Sequence, residues 1–164
     1  MLVFKKISLE NDTEQFYNFL NSIEMKFMLP GQPDLPLFSE FCDWISSQIC
    51  RFYHDLLLVF DGELLVGYVL AYDYRSCDRH CKVTGYVKDN KLMDVLEKFV
   101  SHLISEYPLN KLFIETTDED LIKNALETGF AEEAVFKEYK YYASEYHDMH
   151  ILGYTVRGEN NEKN

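Results

Sequence analysis

Several common signals are missing from this chain, and each gap excludes something. Basic residues are few, sixteen lysines and arginines against twenty-eight aspartates and glutamates, and the net charge of −12 argues against nonspecific binding to nucleic acid or an anionic membrane. No window approaches the roughly 18 apolar residues of a spanning helix, and MLVFKKISLE lacks the apolar stretch of a signal peptide, so a cytosolic setting is expected. There are four cysteines and no CxxC pair, which points to reduced thiols rather than a disulfide framework. Cys77-Asp78-Arg79-His80-Cys81 offers three metal-ligand types, but no second group stands at a recognisable spacing and no metal is expected. No Ser/His/Asp order accompanies a nucleophile elbow. Glycine is absent from VKDNKLM, residues 87–93, a strand-to-helix junction of the kind that often holds an anion.

What is present is one domain's worth of core. In 164 residues, 47% hydrophobic and 15% aromatic content suffices to bury a sizeable interior. LVFKKISL reads as a strand. Asp12 and Gln15 form a capping-box-like pair ahead of Phe16, Phe19, Leu20, Ile23 and Phe27, which predicts a helix near 13–25. MLPGQPDLPL, residues 28–37, reads as an irregular loop, and Phe38, Phe41, Ile45, Ile49 and Phe52 predict a second helix over 38–52. LLLVF and LLVGYVLAY flank Asp61-Gly62, a type I′ hairpin signal. CKVTGYVK is a fourth strand, and Leu92, Val95, Leu96, Phe99, Val100 and Leu103 stripe a third helix. KLFIE is a fifth strand; Thr117 with Asp120 marks a helix start, Gly129 its end, and two aromatic strands near 132–142 and 147–156 turn around Ser144-Glu145. The order β-α-α-β-β-β-α-β-α-β-β predicts an α/β (α+β) domain over 1–156, a mixed, mostly antiparallel seven-stranded sheet with helices on both faces. The polar tail 157–164 is expected to be disordered.

This order, with Gly129-Phe130, Glu133, Glu138-Tyr139 and Tyr146-His147-Asp148 in the closing stretch, resembles the GNAT superfamily of acetyl-coenzyme A-dependent N-acetyltransferases. The branch it most resembles acetylates ribosomal-protein N-termini and related small amines. The resemblance implies acetyl-coenzyme A as cosubstrate, with its pyrophosphate held at the turn Tyr86, Val87, Lys88, Asp89, Asn90, Lys91, Leu92 and Met93. In that family the turn carries an Arg/Gln-x-x-Gly-x-Gly loop. Here Lys88 takes the Arg/Gln position, while Lys91 and Met93 stand where glycine is usual. The first N–H groups of a helix attract anions without any glycine, and Asn90 tolerates positive φ. Equally, Asp89 or Asn90 can simply cap the helix. Two further family positions differ: Ala125 replaces the tyrosine that protonates the departing thiolate, and Asp118 replaces the asparagine that contacts the pantetheine arm.

Acetyl transfer to an amine needs a base and a proton donor for the thiolate. Glu115 and Glu133 are the base candidates, each readable also as a solvated strand-end carboxylate. Tyr86 and Tyr142 are the acid candidates, among hairpin tyrosines that packing alone would explain. His147, beside Asp148, also merits attention, and MLPGQPDLPL with Trp44 falls where the family's acceptor pocket is walled. The leading expectation is an enzyme acetylating a primary amine of a small molecule or a protein N-terminus, with a homodimer as one assembly and no nucleic-acid or membrane partner. The alternatives are a GNAT-fold binding module without turnover, and an acidic protein using its tyrosine-rich hairpin as an interface.

Overall fold

Alternation of apolar and smaller or polar side chains builds the sheet, and where it lapses the strand is buried on both faces. The computed structural model describes residues 1–23, 29–31 and 37–156. Its elements run β1 (Leu2–Lys6), α1 (Thr13–Asn21), α2 (Phe38–Arg51), β2 (Tyr53–Asp61), β3 (Leu64–Arg75), β4 (His80–Val87), α3 (Leu92–Glu106), β5 (Lys111–Thr116), α4 (Glu119–Glu127), β6 (Ala131–Tyr142) and β7 (Glu145–Thr155). The strands form one seven-stranded sheet in the order β1-β2-β3-β4-β5-β7-β6. Each neighbouring pair is antiparallel except β4 with β5. The expected mixed sheet and element order are both present.

Two cores flank the sheet. Under α3 and α4 lie Val69, Val83, Leu96, Phe99, Leu112 and Ile114; under α1 and α2 lie Phe16, Leu20, Phe41, Ile45, Leu58 and Tyr68. β3 contributes to both, Val69 and Ala71 to one and Tyr68 and Leu70 to the other, which explains why LLVGYVLAY shows no polar alternation. All six residues of the α3 stripe are buried. Phe99→Ala would cost about 3–5 kcal/mol by the usual toll of emptying such a site.

Local readings needed correction where a nonlocal partner competes. α1 ends at Asn21, short of the expected residue 25, and Asp12 does not cap it with its side chain. The Asp12 carboxylate instead takes Lys5 Nζ at 2.6 Å and the Ser8 amide at 2.8 Å, because an ammonium is the stronger partner. Asp61 ends β2 and pairs with Leu64, so the turn is Gly62-Glu63, with positive φ at Gly62 alone; that is the II′ pattern rather than I′. The last hairpin turns at Ala143-Ser144, both left-handed, and Glu145 already belongs to β7. α4 is capped by Asp118, which accepts from the Asp120 amide at 3.1 Å, and not by Thr117. The tail 157–164 and most of the 28–37 loop lie outside the described residues.

Candidate active site

β4 and β5 part company within the sheet. They pair over three rungs, His80↔Lys111, Cys81↔Leu112 and Lys82↔Phe113, and no further. β4 nonetheless runs on to Val87, held by β3 through Gly67↔Val87, and β5 runs on to Thr116, held by β7 through Thr116↔His150. The result is a wedge-shaped opening at the carboxyl ends of two parallel strands, where α/β sheets place their ligands. Each wall is fixed by its outer neighbour, so the gap does not depend on a loop.

At the end of β4 the chain turns into α3. Lys88 N donates to Val66 O at 2.9 Å, extending the contact with β3 by one residue. Asp89 and Asn90 then adopt φ of 62° and 55°, and Lys91 returns to φ −93°, ψ 5°. A left-handed residue followed by a right-handed one makes successive N–H groups converge into an anion-binding concavity. Aspartate and asparagine are the residues that best tolerate such φ after glycine, so the turn forms without one. Neither is the N-cap: that position is Lys91, and it makes no side-chain cap hydrogen bond. Lys91 Nζ reaches sideways to Asp61 Oδ2 at 2.6 Å, Leu92 is buried in the core, and Met93 is exposed. Lys88 Nζ lies 5.2 Å over the Phe19 ring.

The β5 wall carries the polar groups. Glu115, two residues past the last rung, accepts from Lys82 Nζ at 2.8 Å, and Lys82 also lies 3.6 Å from Asp73. Thr117 Oγ1 and the Tyr142 hydroxyl are 3.0 Å apart, which brings the last hairpin to the exit of β5. Tyr142 stacks on His147, with ring centroids 3.7 Å apart and planes 11° from parallel. Tyr86, on β4, packs toward the α1–α2 core with its ring 6.1 Å from Phe19. Glu115 and Tyr142 therefore sit at the end of one wall, and Tyr86 to Met93 at the end of the other.

No protein-family model matches this sequence, and no curated protein matches it. Solved structures do. The dodecameric spermidine N-acetyltransferase of Vibrio cholerae superposes with a TM-score of 0.79 at 16% identity, over 94% of this chain and 93% of that one. The same enzyme in complex with coenzyme A and spermine gives 0.79 at 16%, over 94% and 95%. The ribosomal L7/L12 α-N-protein acetyltransferase RimL, in complex with coenzyme A, gives 0.79 at 10% identity over 94% of each chain. The fold is the GNAT acetyltransferase fold.

Within the GNAT fold, the departures seen in the sequence acquire positions. Ala125 is fully buried, so α4 offers no hydroxyl at that point. Asp118 is 2% exposed, and after burial and Tyr72 it is the next influence raising the pKa of the Tyr68 hydroxyl. Glu133 is tied to Lys111 Nζ at 2.6 Å, at the opposite end of β5 from Glu115, about 13 Å away at strand rise. That leaves Glu115 as the base candidate beside the wedge. The Cys81 thiol donates to Tyr72 O at 3.2 Å, and burial pushes its pKa up to about 12, while Cys77 is exposed. Among the described residues no group of three His, Cys, Asp or Glu could hold a metal, and no helix is long and apolar enough to cross a membrane. Lys82, Asp61 and Thr117 went unread as site neighbours; Thr117 and Asp61 carried only a helix-start and a hairpin signal, and Lys82 carried none.

Proposed function

We propose that this protein is an acetyl-coenzyme A-dependent N-acetyltransferase acting on a primary amine, borne by a small molecule or a protein N-terminus. The observation that carries the reading is the left-handed Asp89-Asn90 turn standing over an uncapped α3 at the mouth of the β4–β5 wedge. Convergent amides there suit a diphosphate, and the unpaired edge of β4 suits the amide-rich pantetheine arm. The amine nitrogen attacks the thioester carbonyl carbon, the C–N bond forms and the C–S bond breaks. Glu115 takes the proton the nitrogen loses, and the thiolate receives one from Tyr142 or Tyr86. Nothing is held covalently by the enzyme. A net charge of −12 favours a cationic acceptor by steering. Four free cysteines fit a cytosolic setting, and the exposed Phe136, Tyr139, Tyr141 and Tyr146 offer a surface on which a homodimer could form.

The test has two stages. Millimolar acetyl-coenzyme A should raise the melting temperature, since ligand at 100 times Kd adds about 2.7 kcal/mol of stability. Thiol release should then follow on a panel of polyamines, amino sugars and peptide N-termini. No thermal shift would end the proposal. The buried Ala125 favours a second reading, a GNAT-fold module that binds without turnover; a thermal shift with no thiol release from any amine would select it.

A further inference from the structure

Asp61 closes β2 and Lys91 opens α3, thirty residues apart in sequence, yet Lys91 Nζ donates to Asp61 Oδ2 at 2.6 Å. Both side chains are 39% exposed, so water and an incoming ion reach the contact. The pairing also shows in the ionisation of both groups, the Asp61 carboxyl held below its usual range and the Lys91 ammonium above its own, the mutual hydrogen bond being the first cause in each. The backbone of Lys91 belongs to the concavity at the end of β4, while its ammonium is on a flexible four-carbon stem. That ammonium can therefore be in one of two places, against the carboxylate of the β2–β3 hairpin or over the converging amides. The Lys88 ammonium lies elsewhere, 5.2 Å over the Phe19 ring.

We propose that Asp61 is a latch on the anion site: it draws the Lys91 ammonium away from the turn, and a bound diphosphate must take that ammonium from it. The inference rests on the reading of the turn as the pyrophosphate site. Asp61 then sets the affinity for coenzyme A without touching it. The contact is exposed and electrostatic, so its effect is modest and sensitive to salt.

The experiment is calorimetric titration of coenzyme A into the intact protein and into Asp61→Asn, Lys91→Met and the double variant, at low and high salt, with pantetheine as a ligand that lacks the phosphates. Asp61→Asn should tighten coenzyme A by about two- to fivefold at low salt, the span that exposed ion pairs allow. The gain should shrink in 1 M salt, vanish in the Lys91→Met background and be absent with pantetheine. Binding that Asp61→Asn leaves unchanged or weakens overturns the latch and spares the site. A gain that persists in Lys91→Met also overturns it, because the carboxylate would then be repelling the ligand directly. If none of the four proteins binds coenzyme A at millimolar concentration, the pyrophosphate reading fails and the latch with it.

Discussion

The ring of Tyr142 lies flat on that of His147, 3.7 Å between centroids, while its hydroxyl meets Thr117 Oγ1 at 3.0 Å. One face and the tip of this tyrosine are thus fixed by two elements, β7 and the segment joining β5 to α4. A proton donor needs such restraint, because a misplaced hydroxyl loses most of its value. Tyr142→Phe is expected to lower kcat at least tenfold with little change in KM for acetyl-coenzyme A, measured by thiol release with the best acceptor found. Thr117→Val should give a smaller fall in the same direction. A Tyr142→Phe enzyme with unaltered kcat would pass the role to Tyr86.

Glu115 stands next to Lys82 Nζ at 2.8 Å and just beyond the point where the strands separate. Glu115→Gln keeps the shape and removes the proposed base, and should reduce kcat/KM by about 100-fold, within the span general bases contribute. Glu133→Gln, whose parent carboxylate pairs with Lys111 at the far end of β5, should change it less than twofold. Equal losses in the two variants would mean that neither is the base.

Asn90 keeps φ at 55° without a glycine. Asn90→Gly should fold at least as well and bind coenzyme A as tightly or more so, since the conformation costs glycine nothing in steric terms. Asn90→Val places a β-branched residue in a forbidden region at about 1–3 kcal/mol, and should weaken coenzyme A binding tenfold or more. Circular dichroism melts and titration calorimetry on the pair distinguish turn geometry from overall folding.

Acid should loosen the β1–α1 corner. Burial alone would raise the pKa of the Asp12 carboxyl, but hydrogen bonds from Lys5 and the Ser8 amide, with the Lys5 charge, outweigh it and leave the group below its ordinary 3.8. A depressed carboxyl contributes stability that is fully present above the ordinary value and is lost as pH falls through the depressed one. Urea melts between pH 7 and pH 2 should therefore show a fall below about pH 4 that Asp12→Asn partly abolishes, that variant being weaker at neutral pH from the start. Identical acid limbs in the two proteins would refute this account.

The sequence was legible where one element decides alone. The α3 stripe, the hairpin glycine, the left-handed Gly129 at φ +97° and the element order all came from local pattern, because helix and strand periods are properties of contiguous residues. It was illegible where a side chain chooses between a near and a far partner. Asp12 left its helix for Lys5, and Thr117 left α4 for Tyr142. Lys91 went to a hairpin thirty residues upstream. Glu115 and Glu133 were indistinguishable as strand-end carboxylates until the pairing of β4 with β5 was known.

Cys81 sits on the middle rung of the short parallel seam, its sulfur hydrogen-bonded to the Tyr72 carbonyl and its proton retained up to about pH 12. Alkylating reagents will mark the exposed Cys50 and Cys77 at once and meet Cys81 only when the seam unzips. The chain thus carries its own stopwatch for that event. If coenzyme A wedges the strands from outside without disturbing the three rungs, the slow labelling of this one sulfur will stay slow in its presence.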